Sequence, residues 1–111
     1  MKAEIKLEVQ LDENRVAESI RWSAAEGGVD QADAGAVLLS VWDSAQKDTL
    51  RIDLWTKEMP MDDMKRFIHQ TLMSLADTLE RSTSDEAPGR ALRTFAREWA
   101  LELGIAGTPL G

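Results

Sequence analysis

The stretch VLLSVWDSAQKDTLRIDLWTKEMP, Val37 to Pro60, decides the fold. Its apolar residues alternate on both sides of a polar centre, the pattern of a β-hairpin. A short loop through Ala45 to Asp48 pairs Asp43 near Leu50, Val41 near Ile52 and Leu39 near Leu54. That register gathers Val37, Leu39, Val41, Leu50, Ile52 and Leu54 on one face. A slip of one residue would scatter them, so the pattern selects the face. The row reads as the core side, and the opposite face then carries Leu38, Ser40 and Trp42 beside Arg51, Asp53 and Trp55. Two tryptophans on the side expected to meet water raise the question of what they bind.

Upstream, period-two patterning continues. In Glu4–Leu11, Ile5, Leu7, Val9 and Leu11 share a face against Glu4, Lys6, Glu8 and Gln10, which predicts a half-buried strand. Asp12-Glu13-Asn14 has turn chemistry. Val16–Ala24 predicts a second strand with Ile20, Trp22 and Ala24 on one side. Ala25–Gly35, rich in Gly and Asp, reads as a loop. Its acids Glu26, Asp30 and Asp33 match no calcium-loop spacing and read as solvated, and Gly27-Gly28 lacks the Lys-Ser/Thr of a phosphate cradle.

Downstream the period becomes helical. Pro60 with Asp62 and Asp63 suits a helix start, since acids favour the positive first turn. Met61, Met64, Ile68, Leu72, Leu75 and Leu79 then recur every three or four residues. Asp62 with Arg66 and Asp77 with Arg81 are spaced for ion pairs. After Ser82–Gly89 a second helix runs to about Leu103, its inner stripe Leu92, Phe95, Ala96, Trp99 and Leu103, with Gly104 at the cap position. The tail from about residue 105 reads as frayed. The expected architecture is a single α+β domain spanning 1–111, in ββββαα order. A four-stranded antiparallel sheet carries both C-terminal helices on one face.

Composition narrows function. The chain has 111 residues, no Cys and a formal net charge of −7. Missing cysteines remove disulfides, thiolate nucleophiles and cysteine-based zinc sites. The negative charge argues against nucleic acid, which needs a cationic footprint, and against anionic membrane surfaces. The alternating N-terminus is a strand and not an export signal, and no segment has the length of a membrane span. The expected compartment is the cytoplasm, without membrane insertion.

Candidate sites reduce to surfaces. Leu38, Ser40, Trp42, Arg51, Asp53 and Trp55 form the first candidate for protein contact, most simply a homodimer. The alternative is a solvated face on which Arg51 stacks over Trp42. Arg90, Arg93, Arg97 and Leu101 line a second, outward strip on the last helix. It would dock an acidic partner or simply offset nearby acids. His69, the sole histidine, has no evident nucleophile or orienting partner and reads as a packing residue at the stripe's edge. Met61, Met64 and Met73 read as core and not as an adaptable groove. No catalytic residue, cofactor or metal site is expected.

The segments LDEN, IRWSAAEGG, LLSVWD, TLRIDLWTKEMPMDDMK and FIHQTLMSLADTLERST together resemble the gliding-motility protein GldC family, from about Ile5 to Arg81. The resemblance fades through the last helix. It implies a small soluble bacterial protein of the gliding machinery of the Bacteroidota, with no catalytic residues to carry over. A component of that machinery becomes the expected protein partner. The reading that follows is a non-enzymatic accessory protein working by contact. Two competitors stand beside it. One is a holdase binding apolar segments, by analogy of element order with the SecB-type export chaperone. The other is a small-ligand or enzymatic pocket using Ser40, Arg51 and Asp53.

Overall fold

The Val37–Pro60 stretch forms the expected hairpin, but not inside the expected sheet. In this computed structural model, which describes residues 1–105, the chain divides into two compact units, Met1–Met59 and Pro60 onward. The first unit holds β1 (Lys6–Leu11), β2 (Ala17–Ala24), β3 (Val29–Ala34), β4 (Ala36–Asp43) and β5 (Asp48–Trp55). The second holds α1 (Met61–Thr83) and α2 (Glu86–Leu103). The α+β class with two C-terminal helices and antiparallel strands is as expected. The single four-stranded sheet is corrected: β1, β2 and β3 make one sheet in that order, and β4 with β5 makes a separate two-stranded sheet.

The added strand is β3, which lies where the sequence reads as a loop. Ala25–Gly27 makes one 3-10 turn closed by Gly28 in the left-handed region (φ 75°), and the chain returns along β2. Ile20 faces Ala34, Arg21 faces Asp33 and Trp22 faces Ala32. The pairing is irregular at its start, where Gln31 takes φ 47° and its N–H donates to Ser23 Oγ at 2.9 Å. Acids on this outer strand are compatible with pairing on one edge only. They repel a further strand on the other.

The three-stranded sheet keeps its faces apart. Leu7 opposite Trp22 and Val9 opposite Ile20 continue the apolar side, and Ile20 is among the most deeply buried side chains. Arg21 and Asp33 pair across the polar side at 3.3 Å.

Asp12 organises the β1–β2 turn. Its Oδ1 accepts from the N–H groups of Asn14 and Val16 at 2.8 and 2.9 Å, and its Oδ2 accepts from Lys57 Nζ at 3.0 Å. Donation from the Val16 amide, followed by Lys57, holds this carboxyl below its ordinary pKa of 3.8. Lys57, just past β5, is raised above 10.5 chiefly by Asp12. Its backbone N–H also reaches Ala17 O at 3.2 Å, and Thr56 N–H reaches Gly35 O at 2.9 Å. These bonds stitch the exit of the hairpin to the start of β2 and to the β3–β4 junction. At that junction a Cβ on Gly35 would come within 2.7 Å of Met59 Sδ, so only glycine fits without displacing Met59.

The helical unit is a hairpin closed by two residues. Ser84 ends α1 in the left-handed region (φ 56°), its N–H donating to Glu80 O at 2.8 Å. Asp85 caps α2, its Oδ1 accepting from Ala87 N–H at 3.3 Å. So short a link makes the helices antiparallel neighbours. Small residues let them approach: Ala76, Gly89, Ala96 and Ala100 are all buried. A Cβ on Gly89 would meet Glu80 Cγ at 2.6 Å and the Ala76 carbonyl at 2.9 Å.

Side-chain details of this unit differ from the stripe count. Met61, Leu75 and Phe95, expected inward, are exposed. Phe95 instead stacks on Trp99 with ring centres 6.0 Å apart. Arg66 meets Asp63 and not Asp62, at 4.0 Å. Asp77 meets Arg93 on α2 at 2.9 Å instead of Arg81 along its own helix. At the far end Ile105, expected to begin a frayed tail, is buried, and its N–H donates to Ala100 O at 3.0 Å. Residues 106–111 of that expected tail lie outside the described residues.

Candidate functional site: a hairpin apolar on both faces

The register of β4 and β5 is fixed by their four-residue connection, Ser44 to Lys47. Asp43 Oδ1 accepts from Ala45 and Gln46 N–H at 3.0 and 3.1 Å, and Lys47 takes φ 53°. Asp43 thereby faces Asp48, Val41 faces Leu50, Leu39 faces Ile52 and Val37 faces Leu54. The expected partners were two residues off. Because a shift of two preserves parity, every side chain still points to its expected side.

The first candidate surface therefore exists as one face. Trp42 lies opposite Thr49, Ser40 opposite Arg51, Leu38 opposite Asp53 and Ala36 opposite Trp55. The indoles are 59% and 58% exposed. They do not touch. One sits at the turn end of β4 and the other at the open end of β5, a separation of about 20 Å along the strands at the usual rise. Between them Arg51 Nη2 meets Asp53 Oδ2 at 3.4 Å, so the guanidinium turns to a carboxylate and not over Trp42. The face presents two aromatic anchors around a polar centre.

The other face overturns an expectation. Leu39, Val41, Leu50 and Ile52, read as core, are 42% to 59% exposed. Only Val37 and Leu54 are half-buried. Alternation shows which residues share a side; it does not show that the side is covered. A signal was nonetheless present, because both parities of the hairpin carry large apolar residues. A strand pair buried on one side and wet on the other alternates cleanly.

Of the second candidate strip, Arg93 departs from the outward position expected of it. Arg93 is drawn inward, its Nη1 to Glu80 Oε1 at 2.6 Å and its Nη2 to Asp77 Oδ1 at 2.9 Å. Those partners raise its pKa, and Arg93 in turn pulls Glu80 below the ordinary 4.5. Arg90 pairs within its own helix with Glu86 at 3.4 Å. Arg97 and Leu101 remain on the outside, Leu101 strongly exposed. Arg93 alone binds the two helices together, while Arg90, Arg97 and Leu101 stay on the surface of α2.

His69 is deeper than its expected boundary position, at 1% exposure. Its Nε2–H donates to the Ala96 carbonyl at 2.8 Å, which joins α1 to α2. Met64 and Met73 are half-buried, as expected of core. The loop acids are separated in role, Asp33 pairing with Arg21 while Glu26 sits in the 3-10 turn. Among the described residues no helix is long and apolar enough to cross a membrane.

Fold and surface together define a small antiparallel α+β protein whose distinguishing feature is a two-faced apolar hairpin. More narrowly, the chain belongs to the gliding motility-associated protein GldC-like family, whose model matches residues 17–105. The match runs through α2, beyond the Arg81 limit of the resemblance read from sequence, and begins after β1. No curated protein and no solved structure matches the chain.

Proposed function

We propose that this protein is a non-enzymatic, cytoplasmic accessory factor of gliding motility that works by holding a protein partner against Trp42 and Trp55. The observation that carries this reading is the exposure of both indoles on one hairpin face, with the Arg51–Asp53 pair between them. Family membership supplies the biological setting. Each exposed indole offers roughly 150 Å² for burial. Exposed aromatic anchors are the residue type that dominates binding energy at protein interfaces. Their spacing suits an extended segment or strand that crosses the face and seats one anchor at each end.

The test uses the gliding bacterium and the purified chain. Trp42→Ser with Trp55→Ser should abolish saturable capture of one partner from cell extract and impair spreading. Leu101→Ser, on the surface of α2, should leave both intact. Equal capture by the tryptophan variant sinks the proposal. The holdase alternative predicts broad, weak suppression of aggregation by unfolded polypeptides, which light scattering measures directly.

A further inference from the structure

We infer that the outer edge of β1 pairs with the same edge of a second copy of this chain, antiparallel about Leu7. The two three-stranded sheets then join into one sheet of six. This goes beyond the proposed partner contact and does not depend on it, since it concerns a different strand.

In its sheet β1 is hydrogen-bonded to β2 alone. Every second residue of Lys6–Leu11 therefore turns its N–H and C=O away from β2, toward an edge that no other strand of the sheet occupies. Such a row is a template for another strand. The opposite edge, β3, carries Asp30 and Asp33 and no cation, so a copy of β3 finds no complement there. An edge lysine usually discourages pairing. On β1, however, Glu8 stands two residues from Lys6, and the strand carries both signs on one face.

Charge complementarity selects a second copy as the occupant. A two-fold axis at Leu7 sets Lys6 opposite Glu8 of the second copy, and Glu8 opposite the Lys6 of that copy. An axis at Glu8, or parallel pairing in register, would set like charges against each other. An axis at Ile5 also matches signs, but it brings in chiefly residues ahead of β1 and leaves most of the strand unpaired. Within the chain Lys6 lies opposite Ser23, and Glu8 lies opposite an Arg21 whose guanidinium goes to Asp33 at 3.3 Å. Pairing about Leu7 supplies the ion pairs that β2 does not. Across the joined sheet the row then runs Asp33, Arg21, Glu8 and the second copy's Lys6, with signs alternating at every step.

The apolar side agrees with the same axis. Leu7 meets Leu7, each with Trp22 on its inner side. Val9, which faces Ile20, meets Ile5 of the second copy. Ile5 is 80% exposed just ahead of β1, and the pairing gives it an apolar cross-strand neighbour. The register shift after Gln10 limits the regular ladder to residues 4–10, which corresponds to about six to eight backbone hydrogen bonds between the copies. A ladder of that length makes a small interface, in the class of weak and reversible contacts.

Sedimentation equilibrium of the untagged chain over about 10–500 µM tests the pairing, a range suited to small interfaces. The parent should approach twice the 12.3 kDa mass of one chain. Lys6→Glu and Glu8→Lys, both at exposed positions, should keep the parent's far-UV circular dichroism and weaken association about tenfold or more. Combining the two reversals in one chain should restore it. Mixing the two single variants should also restore it, as a heterodimer. The milder Lys6→Gln should weaken association severalfold, and Trp42→Ser with Trp55→Ser should remain dimeric. A monomeric parent overturns the inference. So does a dimer indifferent to Lys6→Gln and to either reversal, one that neither combination nor mixing restores, or one lost with the tryptophans.

Discussion

Replacing His69 by Ala should destabilise the protein by about 3 kcal/mol. The ring is almost wholly buried and its Nε2–H donates to the Ala96 carbonyl at 2.8 Å. Truncating a buried side chain of this size to Ala removes its packing and leaves a cavity, an effect of about 2–5 kcal/mol in cores. Loss of the hydrogen bond adds about 1 kcal/mol. Ala96 lies inside α2, so its carbonyl retains a helical donor and no orphaned acceptor is added to the cost. Partial closure of the small-residue interface holds the total to the lower half of that range. Against a total stability of about 5–15 kcal/mol, this is a large fraction. Urea unfolding followed by circular dichroism at fixed protein concentration should show the midpoint falling by about 1–3 M. His69→Gln, whose amide can still donate, should recover part of the loss. An Ala variant within about 0.5 kcal/mol of the parent would refute the argument that His69 joins the helices, and would return the residue to candidacy for another role.

Gly89→Ala sets two effects against each other. Replacing Gly in a helix gains at most about 1 kcal/mol, but the added methyl would lie 2.9 Å from the Ala76 carbonyl, which is backbone and cannot turn away. Overpacking of this kind usually costs about 1–3 kcal/mol, so the variant should melt a few degrees lower, whereas Gly27→Ala, with open space around it, should be near neutral. Acid should also weaken the fold in a defined order. Glu80 is held below its ordinary 4.5 chiefly by Arg93, and Asp12 below 3.8 chiefly by the Val16 amide. A depressed carboxyl contributes stability above its unfolded pKa and loses it as pH falls through the folded value. Helical-hairpin stability should therefore decline first below about pH 4.5, with loss of the Asp12 turn following. Arg93→Gln should flatten the upper part of that profile in urea titrations at successive pH values.

Much of this was legible in the chain, for reasons that also explain what was not. Hydrophobic period located β1, β2, the hairpin and both helices, because each buries or shares one stripe. It missed β3, where Val29-Asp30-Gln31-Ala32-Asp33-Ala34 carries turn-forming and acidic residues and only half a strand's apolar content. An edge strand needs backbone pairing on one side and little burial, so composition does not announce it. The hairpin register was off by two because parity cannot distinguish pairings that differ by an even number. The Asp43 side chain, bonding the amides of Ala45 and Gln46, makes that choice. Arg93 was misplaced for a similar reason. Helical spacing put it on an outward strip, but the two-residue link brings Asp77 and Glu80 within reach across the hairpin.

The largest departure concerns cover. Sequence alternation placed Leu39, Val41, Leu50 and Ile52 together, and it placed Trp42 and Trp55 on the reverse, both correctly. Neither fact implies what lies above each face. A hairpin exposed on both sides makes the tryptophans less exceptional and the aliphatic row more so. The row is continuous and carries its charge only at one end, while the indoles stand apart around an ion pair. Continuous apolar area rewards a partner of the same shape, and separated aromatic anchors reward a partner of matched spacing.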